Sequence, residues 1–586
     1  MSTIRFTSRR FRLLVSFASS ALSIALLSAT LAPSAAAQSR VIQKWLATVK
    51  DPAQVQSVPS GYALNLVDDA TANSNGGVTV AGDICVAVDS SGKCSNLEFA
   101  IETYNANGQK LWGSFIGSAG NVAQATNVIS DSAGDIYAAG WEQNSVSQNG
   151  TPTRSLILVK YSASGTREWI RYYGFYQNSN VQQFYPAAIA VDAQDNIYVT
   201  GNYSRVGYDN STDTLKFSPS GTLLWSDASV DTTGQNSASA AIVLDKPGNV
   251  YVAFWGGQNA GATIKYDSNG NLLWQRQNGG FGASPDSAHS IALDSSGNIY
   301  EEGTATDNPY PMDPAVWATK FDSEGNILWS NPAPGGGCDN YNYGWGATIG
   351  VDGLGNSYLS STNCSDQLAV TKFDTGGNIL WQKTYTGASS SIPIATYLNG
   401  EDDFYVLAEV PSVNTNDSTN LDFLTLKYDG SGNLLWTTRF SGLNSTSSST
   451  PVAMVASGGD LFVTGSTGPS TDSPTYWATL DYVQDAADAT PTSVTFSSQV
   501  VDTTSAPQSV TLKNTSTEDL DISSIKMSGP FSETNNCSSE IVGGGSCTIQ
   551  VRFTPTSTGA QSGSLSIADQ WAGSPDVVKL NGTGAQ

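Results

Sequence analysis

One short segment that ends in tryptophan recurs seven times and limits the folds that this chain can adopt. The copies read GQKLW, GTREW, GTLLW, GNLLW, GNILW, GNILW and GNLLW. Their tryptophans follow one another at intervals of 49 to 57 residues, and they are Trp112, Trp169, Trp225, Trp274, Trp329, Trp381 and Trp436. A constant period of this length is typical of one supersecondary unit repeated along a chain, here of 586 residues.

Each repeat contains four short segments rich in Val, Ile, Leu, Tyr and Trp, which we name strands A to D in chain order. Strands A and B are seen in SIALDSSGNIYEEG (290–303), and strands C and D in TIKYDSNGNLLW (263–274). Turns that contain glycine separate them. This pattern predicts a four-stranded antiparallel meander. The 57 glycines and a charged fraction of only 13 % also favour many short strands and tight turns over helices.

The number of strands predicts a closed ring. Strands B and C occur eight times each, but strand D follows strand C only seven times, because the repeat stops at Val483. The missing strand D is found at the other end of the chain, in VIQKWLATV (41–49) around Trp45. We therefore predict an all-β chain with an eight-bladed β-propeller closed by the N-terminal strand, which hides most strand edges. An open β-solenoid is the alternative, and it needs no strand from its own N-terminus.

The N-terminus has the pattern of a secretory signal peptide. Four arginines between residues 5 and 12 precede an apolar run that extends to about Leu31, and AAA (35–37) provides a cleavage site before Gln38. Residues 1–37 are therefore predicted to be a signal peptide, and the protein to be secreted, periplasmic or at the cell surface. The segment SRRFRL half-matches a twin-arginine signal, so the export route stays open. No later segment has the length of a membrane span.

The charge of the mature chain limits its partners. Without the signal peptide, 23 basic residues stand against 51 acidic residues, a formal net charge of −28. Such a surface repels phosphate backbones and anionic lipids, which argues against binding to nucleic acid or to a membrane surface.

The cysteines are spaced as local pairs. An even number in an exported chain favours disulfides, and metal binding is the weaker interpretation because no pair has CxxC spacing and the chain has one histidine. The three predicted disulfides are Cys85 with Cys94, Cys338 with Cys364, and Cys537 with Cys547.

The repeat resembles the bacterial β-propeller repeat family called SBBP, in which segments of the form D-x-x-G-N-I-Y-V-T-G and D-x-x-G-N-x-L-W alternate. The resemblance covers roughly residues 41–484 and is clearest in 188–201, 264–303 and 321–381. It implies a propeller over residues 38–484 and export. It implies no reaction, because the family has none in common.

A second all-β unit is predicted after the repeats. The small polar residues of 485–493 predict a linker, and 494–586 contains alternating runs such as CTIQVRF and GSLSI. The segments PFSETNNC, GGGSCTIQVRFTPTSTG and KLNGTG resemble the Hydin-like (ASH) immunoglobulin-fold domains that are often labelled choice-of-anchor D. The resemblance implies an Ig-like β-sandwich that acts as a spacer or adhesion module, with Cys537 and Cys547 at the positions of the family's cysteine pair.

The turn between strands C and D has two interpretations. In YDSNGNLLW, the residues Asp267, Asn269 and Asn271 alternate like the ligands of a calcium loop. Across the seven copies, however, the first position is always Asp, Asn or Ser and the fourth is always Gly, as in a type I turn that ends in a left-handed residue. Three copies lack a carboxylate, so we predict a turn with Asp267 as its cap and Gly270 as its left-handed residue. The tryptophan that follows is predicted to pack between blades.

The single histidine, His289, limits the catalytic chemistry. It excludes a multi-histidine metal site, and a Ser-His-Asp triad would have to include it. It lies in a strand A, where it could face a central channel with Asp286 nearby; an ordinary polar strand residue is the alternative. Carboxylate pairs for glycoside hydrolysis stay open among the acidic residues. We predict no catalytic residue, no metal ligand and no cofactor.

A ligand-binding face is predicted from the lengths of the connections. The D–A and B–C connections lie on one side of a meander blade, and here they are long, variable, and rich in aromatic and amide residues. Such side chains suit sugars or protein surfaces. The residues predicted to bind a ligand are Tyr176, Tyr185, Tyr310, Tyr343 and Trp345.

Together these features predict an exported, non-catalytic binding or adhesion scaffold. Its predicted partner is an extracellular glycan or protein surface, and we expect a monomer. The alternative from another class is a propeller enzyme that acts on extracellular polysaccharide, or a quinoprotein-like oxidoreductase.

Overall fold

The computed structural model describes most of the chain after the predicted signal peptide, which lies outside the described residues. All regular elements in the described part are β-strands. It holds no helix long and apolar enough to span a membrane. The described residues are 41–50, 66–90, 94–117, 122–146, 152–174, 182–205, 211–227, 237–256, 262–277, 287–306, 314–332, 348–363, 365–388, 390–399, 403–413, 420–444, 447–457, 459–468, 476–484, 487–491, 493–514, 519–569 and 575–586.

The described strands between residues 41 and 484 form eight four-stranded antiparallel sheets, which we number in chain order. Sheets 1 to 4 consist of β2 (Val67–Ala72), β3 (Val78–Val88), β4 (Cys94–Tyr104) and β5 (Lys110–Ile116); β6 (Ala123–Ser130), β7 (Ile136–Val146), β8 (Pro152–Tyr161) and β9 (Arg167–Tyr173); β10 (Gln182–Val191), β11 (Ile197–Arg205), β12 (Ser211–Phe217) and β13 (Leu223–Asp227); β14 (Ser237–Leu244), β15 (Val250–Gly256), β16 (Ala262–Tyr266) and β17 (Leu272–Gln277).

Sheets 5 to 8 repeat this arrangement, and sheet 8 includes the first described strand, β1. They consist of β18 (Ser287–Leu293), β19 (Ile299–Thr306), β20 (Pro314–Phe321) and β21 (Ile327–Pro332); β22 (Thr348–Val351), β23 (Ser357–Thr362), β24 (Leu368–Phe373) and β25 (Ile379–Tyr385); β26 (Ile392–Leu398), β27 (Phe404–Pro411), β28 (Leu421–Tyr428) and β29 (Leu434–Phe440); β30 (Ser448–Ser457), β31 (Asp460–Gly468), β32 (Tyr476–Gln484) and β1 (Val41–Lys50).

Sheet 8 joins the two ends of the repeat array. Strand β1 pairs antiparallel with β32, so that Leu46 lies opposite Leu480 and Val49 lies opposite Trp477. This is the pairing that the sequence predicts from the missing strand D.

The sheets pack in chain order as a β-propeller. The first strands of successive sheets contact one another, and β30 of sheet 8 contacts β2 of sheet 1. These first strands form the inner layer. Apolar side chains fill the spaces between neighbouring sheets: Leu156 and Phe184 belong to a cluster between sheets 2 and 3, and Val80 and Phe462 belong to one between sheets 1 and 8.

The turns between the third and fourth strands have the predicted geometry. The Gly270 amide donates to the Asp267 carbonyl at 3.0 Å, and the amides of Asn269 and Asn271 each donate to the Asp267 carboxylate at 2.9 Å. Hydrogen bonds from Asn271 hold the pKa of Asp267 below its ordinary value. The glycine at the fourth position has a positive φ in all seven turns, at Gly108, Gly165, Gly221, Gly270, Gly325, Gly377 and Gly432.

Seven of the eight strand D tryptophans pack against the turn of the next sheet. The Trp225 indole N–H donates to the Ser268 carbonyl at 3.2 Å, and a Cβ at Gly270 would lie 2.6 Å from the Trp225 ring. The glycine is therefore needed for its backbone conformation and for this close approach. The same indole bond, at 2.9 to 3.3 Å, is formed by Trp45, Trp112, Trp169, Trp225, Trp274, Trp329 and Trp381.

A buried lysine of the third strand strengthens the same junction, as sheet 5 illustrates. The Lys320 Nζ lies 4.7 Å from the Tyr300 ring centroid and 3.8 Å from the Asp294 carboxylate, which accepts the Tyr300 hydroxyl. Lys320 also donates to the Thr375 carbonyl, the acceptor of the Trp329 indole. In sheets 3, 4 and 6 a lysine and a tryptophan likewise share one acceptor, at Ser268, Ser323 and Gly430.

Sheet 8 reverses the charge of this arrangement. Its third strand carries Asp481 where sheets 2 to 7 have the lysine. The positive charge comes instead from Lys44 of β1, whose Nζ lies 3.0 Å from Asp460 and 3.6 Å from Asp481. Burial, together with the charge of Asp460, raises the pKa of Asp481 to about 7, against the opposing effect of Lys44. Because sheet 8 has no continuous turn before its outermost strand, the buried Trp436 indole N–H finds no hydrogen-bond acceptor in the part of the chain that the structure describes.

Two of the three predicted disulfides are present. Cys85 bonds to Cys94, and Cys537 bonds to Cys547. The predicted pair Cys338 and Cys364 lies outside the described residues. Two disulfides are consistent with an extracellular or periplasmic location.

The C-terminal strands form two sheets around one apolar cluster that includes Val510, Phe553 and Leu580. Strand β33 lies inside the stretch 485–493 that the sequence predicts as a linker. It pairs with β36, so its four residues belong to a sheet. The strands are β33 (Ala487–Thr490), β34 (Ser493–Thr495), β35 (Gln499–Val500), β36 (Gln508–Asn514), β37 (Leu520–Ser528), β38 (Phe531–Asn535), β39 (Glu540–Ile541), β40 (Ser546–Phe553), β41 (Gly559–Asp569) and β42 (Asp576–Ala585).

Two glycines separate the effect of backbone conformation from that of tryptophan contact. Gly270 and Gly297 both have a positive φ, of 85° and 81°, but an added Cβ would meet Trp225 only at Gly270 and has no atom within 4 Å at Gly297. We expect Gly297→Ala to lower the free energy of unfolding by about 1 to 2 kcal/mol and Gly270→Ala by about 3 kcal/mol. Urea denaturation measures both, and equal losses would contradict the tryptophan contact.

The charge pair at the closing strand gives a pH-dependent prediction. Lys44→Met is expected to lower the free energy of unfolding by about 3 kcal/mol at pH 8, because it leaves buried carboxylates without their cation. The loss should be smaller at pH 5, since a raised folded-state pKa means that the folded protein binds the proton at Asp481 and stability falls as pH rises toward 7. Urea denaturation at both pH values tests this. The double variant Lys44→Met/Asp481→Asn should recover most of the loss at pH 8.

Candidate functional site

Of the predicted ligand-binding residues, the structure describes Tyr185. The other four, Tyr176, Tyr310, Tyr343 and Trp345, lie outside the described residues. Tyr185 lies near the start of β10, and the turn at Asp192–Asn196 follows the end of that strand. We call the end of the sheets that carries the A–B and C–D turns the turn side, and the opposite end the loop side. Tyr185 is therefore on the loop side, as predicted.

Tyr185 belongs to a cluster at the junction of sheets 2 and 3. The Arg154 guanidinium lies 4.2 Å from the Trp141 ring centroid and 4.9 Å from that of Tyr185. Arg154 Nη1 donates to the Tyr185 hydroxyl, which lies 3.0 Å from Gln183 Oε1. The ring centroids of Trp141 and Tyr185 are 6.3 Å apart. The cation thus holds both aromatic rings in place.

The elements that carry this cluster explain its position. Arg154 is near the start of β8 and Tyr185 is near the start of β10, so both are displaced toward the loop side, whereas Trp141 is at the middle of β7. Trp141 is buried, whereas Arg154 and Tyr185 are half-buried. A half-buried tyrosine beside a guanidinium offers a flat apolar surface together with hydrogen-bond donors, which suits a sugar ring or a polar protein surface.

A further aromatic side chain lies on the outermost strand of sheet 2. Tyr172 is 39 % exposed in β9. Partial burial raises its pKa, the charge of Glu142 adds to this effect, and Arg167 opposes it. At neutral pH its hydroxyl is therefore protonated and can donate a hydrogen bond.

A β-bulge recurs in the inner strand of the sheets, and the sequence analysis missed it. In sheet 5 the pairing of β18 with β19 skips His289, between Ala288 opposite Gly303 and Ser290 opposite Glu302. Such a bulge redirects a side chain without ending the strand. The skipped residues in the other sheets where the bulge is described are Asp68, Thr126, Ala187, Ala240, Ile394 and Val452.

His289 has a carboxylate neighbour that differs from the residue the sequence suggests. Asp286 lies outside the described residues, and His289 Nδ1 is 3.6 Å from Oε1 of the fully buried Glu302. Burial works against the charged imidazolium, but Glu302 outweighs it, so the pKa of His289 is raised. Burial raises the pKa of Glu302, with His289 opposing. The His289 side chain remains 36 % exposed.

Sequence reasoning overlooked Arg154 and Glu302 for the same reason. Each acts through a residue on another strand, and the partner of Arg154 lies on the next sheet. The sequence feature that could have indicated these residues is a departure from the repeat pattern. Glu301 and Glu302 replace the Val-Thr pair of NIYVTG, and Trp141 follows the strand B glycine where another repeat has Asn202.

Comparisons with known proteins give the chain no family. No family model matches it, and no curated protein matches it.

Several solved structures are similar in part. The WD40 domain of SCAP from fission yeast is 9 % identical, with coverage of 74 % of this chain and 98 % of that chain and a TM-score of 0.40. An ulvan lyase of a polysaccharide lyase family is 10 % identical, with coverages of 60 % and 90 % and a TM-score of 0.37. A gluconolactonase from Xanthomonas campestris is 14 % identical, with coverages of 52 % and 90 % and a TM-score of 0.28. Similarities this weak carry no argument about function.

The Arg154 cluster can be tested by a double-mutant cycle. Arg154→Met keeps the length of the side chain and removes its charge, and Tyr185→Leu removes the ring. We expect a coupling energy of about 1 kcal/mol between the two changes, the usual size of a partly buried cation–π interaction. Urea denaturation of the two single variants, the double variant and the unaltered protein provides the cycle. A coupling energy of zero would show that the stacking contributes nothing to stability.

Proposed function

We propose that the protein is an exported, non-catalytic binding or adhesion scaffold. In this proposal the eight sheets are the blades of one closed eight-bladed propeller built from SBBP-type repeats. The C-terminal sheets are an Ig-like module of the choice-of-anchor D type that spaces or attaches it. The ligand, an extracellular glycan or a protein surface, binds on the loop side.

The observation that supports this proposal best is the cluster of Trp141, Arg154 and Tyr185. Its rings are held by a guanidinium, so little side-chain freedom is lost when a ligand packs on the half-buried tyrosine. The cluster also lies on the side of the long, variable connections, whereas the turn side repeats one short turn. A rigid frame with variable connections on one side is a common basis for recognition.

The two disulfides support the exported part of the proposal. They lie in different parts of the chain: Cys85–Cys94 joins β3 to β4 in sheet 1, and Cys537–Cys547 lies in the C-terminal unit. Disulfides persist in oxidising compartments and are rare in reducing ones.

A binding experiment with the mature full chain tests the function. A glycan array and a panel of cell-envelope proteins are screened first, and the best ligand is then titrated by calorimetry. We expect Tyr185→Ala and Arg154→Ala to weaken binding at least about tenfold, as the loss of a central contact does. Leu354→Ala is the matched control, because Leu354 is 74 % exposed in a turn on the turn side; it should bind like the unaltered protein.

The same preparation separates this function from the enzymatic alternative. The glycans of the array are incubated with the protein and analysed for cleavage products. Turnover, or a cofactor absorbance band in the purified protein, would replace the scaffold with a propeller enzyme. The absence of any ligand in both panels would contradict the proposed binding face.

A further inference from the structure

Four neighbouring sheets expose an apolar pair at the same position. The first two residues of β13, β17, β21 and β25, in sheets 3 to 6, are leucine or isoleucine, and each is 39 to 53 % exposed. Each pair follows a turn between the third and fourth strands, so it lies at the turn-side end of the outermost strand. We call these four pairs the apolar rim. Single exposed apolar residues are ordinary, but a pair repeated on four successive sheets indicates a contact surface.

The other four sheets do not continue the apolar rim. At the same position, sheet 1 carries Lys110, sheet 2 carries Arg167 and Glu168, and sheet 8 carries Lys44. In sheet 7 the pair is half-buried. The repeat therefore tolerates charged residues at this position, and the fold does not require the exposed leucines and isoleucines of sheets 3 to 6.

The strands of the apolar rim also have little protection against association. Each is the last strand of its sheet, so its outer edge pairs with no other described strand. Edge strands often carry lysine, which hinders pairing with another molecule. Strands β13 and β21 contain neither lysine nor arginine, and Arg276 of β17 donates from Nε to the Gly325 carbonyl of the next sheet at 3.0 Å. A cation that could protect the edge is present on β25, as Lys383.

A second copy of this chain matches the apolar rim in spacing and in area. The packing of the sheets fixes the distance between neighbouring pairs, so a partner that meets all four must present apolar groups at the same spacing. A second turn side does this. A two-fold axis that passes between sheets 4 and 5 places sheet 3 on sheet 6, and sheet 4 on sheet 5, of the other copy. The eight side chains expose roughly 700 Å², close to the about 800 Å² per partner that a standard interface buries.

We propose that the protein forms a two-fold dimer in which the apolar rims of two turn sides pack on each other. Leu272 and Leu273 of one protomer contact Ile327 and Leu328 of its partner. The loop sides face away from this contact, so the dimer presents two copies of the loop side to a multivalent ligand. The dimer departs from the monomer that the sequence predicts. It does not rest on the proposed glycan or protein ligand and is tested without one.

The charges beside the apolar rim determine how salt affects the dimer. The turns next to the pairs carry carboxylates, among them Asp267 and Asp322, whose pKa values are held below the ordinary value by hydrogen bonds from Asn271 and Asn326. These groups are ionised at neutral pH, and two turn sides therefore repel each other. Salt screens this repulsion and leaves the apolar contact in place. The dimer should become tighter as the salt concentration rises.

The experiment measures the mass of the mature full chain in solution. Sedimentation and light scattering are recorded from about 1 to 100 µM protein, since interfaces of this size start at micromolar affinity. The series is run at about 50 mM and about 500 mM NaCl, which differ several-fold in screening length. We expect a dimer within this range, with the lower dissociation constant at the higher salt. A chain that stays monomeric throughout, or a dimer that salt dissociates, would overturn the proposal.

Variants locate the contact. Leu273→Glu and Leu328→Glu introduce the residue that sheet 2 carries at this position as Glu168, so the fold should persist, which circular dichroism checks. Each should raise the dissociation constant of the dimer at least about tenfold, because it buries a charge in an apolar contact. Leu111→Glu is the matched control: Leu111 is 44 % exposed at the same position of sheet 1, outside the apolar rim, and this variant should dimerise like the unaltered protein.

Two further outcomes would assign the surface differently. Equal weakening of the dimer by Leu111→Glu and Leu273→Glu would place the contact elsewhere and overturn the proposal. A monomeric chain that binds phosphatidylcholine vesicles, and loses this binding in Leu273→Glu, would assign the apolar rim to lipid instead of a second copy.

Discussion

The hydrogen bond that seven of the eight strand D tryptophans donate to the turn of the next sheet is the interaction on which the propeller depends. A four-stranded sheet with two apolar faces is unstable alone and must bury those faces against its neighbours. The indole hydrogen bond sets the position of one sheet relative to the next. The turn glycine has no Cβ, so the tryptophan ring can approach the backbone of the turn. Because the same bond recurs along the array, each sheet is placed by the one before it.

The pattern of one tryptophan hydrogen bond to each following turn breaks at sheet 8, which joins the two ends of the array. The array ends at β32 without a turn between the third and fourth strands of sheet 8. Among the described residues, the Trp436 indole of sheet 7 therefore has no acceptor. Lys427 lies 2.6 Å from Asp403, closer than the lysine to aspartate distances of 3.5 to 3.9 Å in sheets 3, 5 and 6. Asp403 belongs to the one strand B turn whose sequence, NGEDDF, departs most from the repeat.

The reversed charges of sheet 8 also select the strand that closes it. Lys44 occupies the position directly before the tryptophan, where the other outermost strands carry Leu or Glu. An apolar or acidic residue there would leave Asp460 and Asp481 buried without a cation, which is costly. Thus Lys44 makes β1 the strand that fits, and the ring closes with the N-terminus of its own chain. The candidate binding cluster and the His289 pair both depend on the rigid frame that results.

The sequence by itself determined the repeat, the four strands of each unit, the turn with Asp267 and Gly270, and the pairing of residues 41–49 with the last repeat. These follow from local rules: alternating apolar residues form strands, and a glycine with positive φ closes the turn. Only the tertiary structure decided which side chains meet across sheets. The stacking of Arg154 on Trp141 and Tyr185, the bulge at His289 and the burial of Glu302 depend on the register and packing of strands distant in sequence. Local preferences do not encode such contacts, because each one is set by how neighbouring strands and sheets come together.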